Sequence, residues 1–65
     1  MSKDFDYTNM LGYHKRLTIN CLPKNNKYFC TLWSRDTGDC CGSGWMSKQE
    51  INELLANYGL HFDGE

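Results

Sequence analysis

Four cysteines are the residues of this 65-residue chain best able to do chemistry, as metal ligands, disulfide partners or nucleophiles. Cys21 and Cys30 stand apart and Cys40 and Cys41 are adjacent, so none of them forms the C-x2-C or C-x4-C pattern of a zinc knuckle. Adjacent strand residues point to opposite faces, so Cys40 and Cys41 cannot easily bind one ion together. The spacing therefore predicts no metal site, and no motif indicates a cofactor.

The same cysteines are predicted to be reduced and not catalytic. A hairpin predicted over residues 15–34 sets Cys21 opposite Cys30, close enough for a disulfide, but buried cysteines in a reducing compartment usually remain free thiols. A nucleophilic thiolate would need a neighbouring histidine, and the spacing places neither His14 nor His61 beside a cysteine. We therefore expect a protein that is not an enzyme.

Length and composition predict one small globular domain over residues 1–65. The chain is 40% hydrophobic and 14% aromatic, which is rich enough for a packed core. Its start, MSKDFDYTN, has neither the basic flank nor the apolar stretch of a signal peptide, and no run approaches the roughly 20 apolar residues of a membrane span. We expect a cytoplasmic protein with no membrane partner.

Two alternating, β-prone segments predict the first hairpin. They are residues 15–22 (KRLTINCL) and 27–34 (KYFCTLWS), and PKNNK lies between them. Asn25 and Asn26 tolerate the positive φ angles of a two-residue type I′ turn. The resulting register makes Lys24 and Lys27 a hydrogen-bonded pair.

A second turn, RDTGD at residues 35–39, leads into a third strand that ends near residue 46. A three-residue turn with Gly38 in the left-handed region spares the β-branched Thr37 from positive φ. The predicted pairs are Trp33 with Cys41, Leu32 with Gly42, Cys30 with Gly44, and Phe29 with Trp45. Gly42 and Gly44 would then form a flat strip that lies under the helix.

The helix is the element that the sequence specifies best. Ser47 as N-cap and Glu50 three residues later form a capping box, and Gly59 is placed to end the helix in the left-handed conformation. The apolar stripe between them consists of Ile51, Leu54, Leu55 and Tyr58.

These elements predict an α+β fold of the order β-β-β-α. A small three-stranded antiparallel sheet, built from two hairpins, carries one C-terminal helix on one face. The predicted boundaries are an irregular or short helical arm over residues 1–14, the sheet over 15–46, the helix over 47–59 and a tail over 60–65.

Alternation places large apolar side chains on both faces of this sheet, while one helix can cover one face. The second face is the candidate site, and we expect it to bind a partner through aromatic and basic side chains. The predicted partner-binding residues are Leu22, Lys27, Phe29, Trp33, Arg35 and Trp45. Residues 5–13 could instead simply cover this face and leave none of it exposed.

A protein partner is the leading expectation, either a host protein or a second copy of the chain. Small single-domain proteins without a reaction motif are often accessory proteins of phages or mobile elements that bind and inhibit a host protein or a defence complex. The alternative is a single-stranded nucleic-acid-binding module, in which the aromatic face stacks bases inside a basic rim of Lys15, Arg16, Lys27 and Arg35.

Charge distribution bears on this choice. Residues 14–48 carry six basic against two acidic residues, and residues 49–65 carry four acidic residues, although the formal net charge is -1. Nucleic-acid-binding domains are usually strongly basic overall, which this chain is not. The charge therefore favours the protein partner.

Overall fold

The computed structural model describes residues 1–64 and shows an antiparallel sheet with one helix in this range. The strands follow one another in the order β1-β2-β3-β4, each paired with the next along the chain. The elements are β1 (Ser2–Thr8), β2 (His14–Asn20), β3 (Lys27–Ser34), β4 (Cys40–Ser47) and α1 (Lys48–Ala56). The α+β class agrees with the prediction, but the predicted count of three strands is wrong.

The additional strand is β1, where the sequence predicted an irregular or helical arm. Phe5 and Tyr7 are buried and alternate with the exposed Asp4, Asp6 and Thr8, which is the pattern of a half-buried strand. The apolar residues that follow obscured this alternation because they belong to a turn and point to solvent. They are Met10, Leu11 and Tyr13.

The turn between β1 and β2 is organised by Asn9. Its side-chain Oδ1 accepts the backbone N–H groups of Leu11 and Tyr13, at 3.0 and 2.9 Å. The Asn9 N–H donates to the carbonyl of Tyr13, and Gly12 takes a φ of 86° to complete the turn. These bonds fix the pairing that lays β1 along β2.

The turn between β2 and β3 has the predicted geometry, but the predicted strand register is wrong. Asn25 and Asn26 have φ angles of 53° and 62°, and Lys24 exchanges two hydrogen bonds with Lys27. Farther along, however, Cys30 pairs with Ile19 and not with Cys21.

A local distortion after β2 accounts for this shift of two residues. The Asn20 side chain accepts the N–H of Leu22, and the N–H of Cys21 donates to the carbonyl of Met1 beside it. Two extra residues are therefore taken up between the turn and the regular ladder. The shift is even, so the side chains of the paired β2 and β3 residues keep their predicted faces.

The turn between β3 and β4 contains four residues, not the predicted three. The N–H of Ser34 donates to the carbonyl of Asp39, and Gly38 has the predicted positive φ of 80°. A bulge after Leu32 compensates, so Trp33 pairs with Cys40, and not with Cys41 as predicted. Beyond the bulge the pairs match the prediction, including Phe29 with Trp45.

The ends of α1 have the predicted chemistry. Ser47 Oγ accepts the N–H of Glu50 at 3.1 Å, and Glu50 Oε1 accepts the N–H of Ser47 at 2.9 Å, which completes the capping box. This backbone hydrogen bond lowers the pKa of Glu50. After the helix, Gly59 has a φ of 70° and the N–H of Leu60 donates to the carbonyl of Leu55.

The C-terminal tail supplies the residue that completes the core. Phe62 is fully buried, with its ring edge-on to Phe5 and Tyr28 at centroid distances of 6.3 and 5.0 Å. Asn52 of α1 holds it there, donating to the carbonyl and accepting from the N–H of Phe62. The buried core consists of Phe5, Tyr7, Leu17, Ile19, Cys30, Ile51, Leu55 and Phe62.

The helix and tail cover one face of the sheet, but not the part of β4 formed by Gly42 and Gly44. Gly42 and Gly44 face the helix side, yet they are exposed, and a Cβ added at either would meet no atom within 4 Å in the described structure. The predicted packing of the helix over these glycines is therefore wrong. Tyr58, two residues after α1, stacks on Tyr7 of β1 with the ring centroids 4.3 Å apart.

This packing makes Phe62 a determinant of folding. We expect Phe62→Ala to lower the free energy of unfolding by about 3–5 kcal/mol, because it empties a large buried site. Urea denaturation followed by circular dichroism measures the change. Phe29→Ala, on the uncovered face, is the control and should cost about 1 kcal/mol. Equal losses from the two substitutions would show that the tail is not part of the core.

Candidate functional site

The face of the sheet opposite α1 is left uncovered by residues 1–64, and we call it the open face. Strand alternation and pairing arrange its side chains in rows that cross the sheet. One row is Asp6, Arg16 and Trp33; a second is Asp4, Thr18, Thr31 and Ser43; a third contains Phe29 and Trp45. Polar residues thus lie over β1 and β2, and aromatic residues over β3 and β4.

An aromatic pair dominates the β3–β4 side. The rings of Phe29 and Trp45 meet edge to face, with centroids 5.3 Å apart and planes at 68°. Phe29 is nevertheless 37% exposed and Trp45 is 50% exposed, far more than a core aromatic. The pair is therefore held in place by its own contact while a large part of its surface meets solvent.

Trp33 shares this face but is held differently. Its indole Nε1 donates to Thr18 Oγ1 at 3.1 Å, and Thr18 Oγ1 donates to Asp4 Oδ1 at 2.8 Å. The Trp33 side chain is partly buried by these neighbours. Trp33 is therefore fixed against the polar half of the face, and its indole donor is already satisfied.

The remaining predicted site residues lie around the edge of the open face. Leu22 is 70% exposed in the segment between β2 and β3, outside the strands. Lys27 begins β3, and with Trp45 it lines a shallow depression beside the Asn25 turn. Arg35 follows β3 and reaches back, its Nε donating to the carbonyl of Lys15 at 3.1 Å.

Two arginines of the open face are paired with one carboxylate. Arg16 forms a bidentate contact with Asp6, Nε to Oδ1 at 2.7 Å and Nη2 to Oδ2 at 3.1 Å. Arg35 Nη1 lies 3.8 Å from the same Oδ2. The hydrogen bond from Arg16 lowers the pKa of Asp6 and raises the pKa of Arg16.

Lys15, expected on the basic rim, lies on the helix side. Its Nζ donates to Cys41 Sγ at 3.5 Å and sits 5.7 Å from the centroid of the Tyr13 ring. Cys41 is on this side because of the β-bulge, and so it does not join the aromatic stack as its predicted pairing with Trp33 implied.

The sequence analysis named Arg16, Trp33 and Arg35 but missed three polar residues of the open face, Asp4, Asp6 and Thr18. Asp4, Arg16, Thr18, Trp33 and Arg35 contribute to the lining of a groove of about 570 Å³ across the polar half. Asp4 and Asp6 lie on β1, and their place on this face follows from recognising that strand. The alternation of Asp4, Phe5, Asp6 and Tyr7 is the signal that could have found them.

The described residues offer little for covalent or metal chemistry. No group of three or more metal-ligating side chains comes together within residues 1–64. The four cysteines are free thiols, and burial raises the pKa of Cys30 to about 11. Cys40 and Cys41 are exposed at the outer strand.

Comparisons with known proteins do not assign a family. No family model, no curated protein and no solved structure matches this chain. Of the residues that the structure describes, none forms a helix long and apolar enough to cross a membrane. The physical features of the surface therefore carry the functional argument.

The Arg16–Asp6 pair yields a direct test of the charge pattern on the open face. Arg16→Gln removes the hydrogen bond that depresses the Asp6 pKa, so this pKa should rise towards its ordinary value of 3.8. Carboxyl chemical shifts followed by NMR through a pH titration report it. Arg35→Gln is the control and should shift the Asp6 pKa less, because its contact is longer.

The Arg16–Asp6 pair also determines the direction in which the stability of the fold changes with pH. A depressed native pKa contributes stability above the ordinary carboxyl pKa, and that contribution is lost as the pH falls through the depressed value. An Asp6 pKa unchanged by Arg16→Gln would show that the two side chains are not paired in solution.

Proposed function

We propose that this chain acts by stoichiometric binding to a protein partner through the open face, with Phe29 and Trp45 as the central contact. The observation that carries the proposal is the edge-to-face pair that leaves Trp45 half exposed on an uncovered sheet face. Tryptophan and other large aromatics contribute disproportionately to binding energy at protein interfaces, and a pre-positioned pair loses little conformational entropy on binding.

The polar half of the face suits the rim of such an interface. Asp4, Asp6, Arg16 and Arg35 alternate in sign there, and their mutual contacts leave some oxygens and nitrogens open to solvent at the surface. Paired charges of this kind select a partner by complementarity more than they add affinity. The open face thus combines an aromatic half with a polar half, and protein interfaces likewise combine apolar and polar areas.

The same charges argue against the nucleic-acid alternative. Binding to a phosphate backbone draws its energy from lysines and arginines that are free to replace counterions. On the open face Arg16 and Arg35 are already engaged by Asp6, Asp4 adds a second negative charge, and Lys15 lies on the other side of the sheet. Of the predicted basic rim, this leaves Lys27, beside Trp45, to meet a phosphate. Trp33 is partly buried, which leaves less of its ring surface to stack on a base.

In this proposal the biological role is that of an inhibitor. A small accessory protein of a phage or mobile element would bind a host protein or defence complex and block the surface that it covers. In this proposal the open face does the binding, and no side chain of residues 1–64 is assigned a catalytic role.

The test compares the proteins that tagged chains recover from cells of the natural host. Trp45→Ala should reduce recovery of the specific partner at least about tenfold, because truncating a central aromatic costs about 2 kcal/mol or more. Leu11→Ala is the control: Leu11 is also a large apolar residue and is more exposed than Trp45, but it lies in the β1–β2 turn. Quantitative mass spectrometry measures both recoveries.

A nuclease-resistant partner that depends on Trp45 and not on Leu11 supports the proposal. A second arm titrates the purified protein with a mixed-sequence single-stranded oligonucleotide while Trp fluorescence is recorded at several salt concentrations. Micromolar quenching that falls steeply with salt and is lost in Trp45→Ala would overturn the protein-binding proposal in favour of nucleic acid.

A further inference from the structure

The outer edge of β4 is an unusually open pairing surface. Six consecutive residues, Cys40–Trp45, are exposed, and β4 contains neither a charged residue nor a proline over its whole length. Within residues 1–64 the sheet ends at β4, with no further strand beside it. Native proteins usually protect such edges with charges, proline, covering elements or a β-bulge. The bulge of β4 lies at Cys41, and the pairing from Gly42 to Ser47 is regular.

Backbone hydrogen-bond groups of two β4 residues point outward along this edge. Lys27 hydrogen-bonds to Lys24, on the β2 side of β3, and Ser34 hydrogen-bonds to Asp39, on the β4 side. Because the backbone groups of successive strand residues point to alternate sides, the even-numbered residues of β3 bond towards β4. By alternation Gly44 bonds inward to Cys30, so the N–H and C=O of Ser43 and Trp45 point away from β3. Ser47 continues this outward series, and the side chain of Glu50 already accepts its N–H.

The opposite edge of the sheet lacks these properties. β1 carries Lys3, Asp4 and Asp6 within seven residues. Two copies of β1 laid side by side would bring several charges to the junction, whereas two copies of β4 would bring none. The edge that is free of charge is therefore the one suited to meet a copy of itself.

We propose that β4 pairs with β4 of a second copy of this chain, antiparallel and about a two-fold axis at Gly44. Ser43 then exchanges two backbone hydrogen bonds with Trp45 of the second copy, and Trp45 exchanges two with Ser43 of that copy. Gly44 lies opposite Gly44 of the second copy as a non-hydrogen-bonded pair. The four-stranded sheets of the two copies become one continuous sheet.

The helix side leaves room for this pairing. A Cβ at Gly44 would meet no described atom within 4 Å on that side, so no described atom overhangs this part of the edge. Tyr58, which follows α1, stacks on Tyr7 of β1, the strand at the other edge of the sheet. A two-fold axis perpendicular to the sheet also keeps both open faces on one side, and brings the two Phe29–Trp45 pairs next to each other.

A second copy is a better occupant than an unrelated peptide because the edge supplies little side-chain selectivity. Residues 42–44 are glycine, serine and glycine, which offer hydrogen-bonding backbone but no pocket for a foreign side chain. A two-fold antiparallel pair needs only self-complementary backbone groups, and the edge has them. The inference rests on this edge and is independent of what the open face binds.

Sedimentation equilibrium of the full chain in reducing buffer tests the proposal. The average mass should rise from 7.6 kDa towards twice that value between about 10 µM and 1 mM protein, the range expected of a small interface. Ser43→Pro should abolish the rise, since it removes an outward N–H that β3 does not use. Ser2→Pro, the same change on the β1 edge, is the control and should leave the rise intact.

A disulfide trap tests the register without relying on the proline variant. Gly44→Cys, in a background with Cys40→Ser and Cys41→Ser, places two thiols opposite each other at a Cα separation of about 4.5 Å, within disulfide reach. Rapid oxidation to a covalent dimer supports the proposal. A chain that remains monomeric at the highest concentration, or a dimer that survives Ser43→Pro, overturns it.

Discussion

The packing of α1 and the Phe62 tail against one face of the sheet is the constraint on which the rest of this structure depends. Phe62 is held there by hydrogen bonds to the side-chain amide nitrogen and oxygen of Asn52 and by edge contacts to Phe5 and Tyr28. A chain of 65 residues has little further material to bury, so the fully enclosed apolar residues gather on this face. The opposite face is left to meet water or another molecule.

The two halves of the open face respond to that exposure in different ways. Over β1 and β2, Asp6 pairs with Arg16, and Trp33 donates to Thr18, so the polar groups satisfy one another across the strands. Over β3 and β4, Phe29 and Trp45 contact each other but keep much of their surface exposed. This difference singles out the aromatic half as the part of the face that an interaction partner would stabilise.

The sequence predicts those features that single residues control through the backbone. The Ser47–Glu50 capping box and the positive φ angles at Asn25 and Gly38 are confirmed because each rests on local chemistry. Features that depend on distant packing were missed. β1 was hidden by the apolar turn after it, the β2–β3 register was shifted by the distortion at Asn20, and Phe62 stands in no periodic pattern. The aromatic members of the site were therefore predictable, whereas their acidic neighbours on β1 were not. That these residues bind a partner remains a prediction.

Aromatic proton contacts measured by NMR test most directly whether the helix and tail cover one face alone. The account predicts nuclear Overhauser effects from the Phe62 ring to Phe5 and Tyr28 and from Tyr58 to Tyr7, with the Trp45 indole contacting Phe29 and no residue of α1. Contacts between the Trp45 indole and α1 side chains such as Ile51 or Leu55 would contradict it, because the aromatic face would then be the covered one.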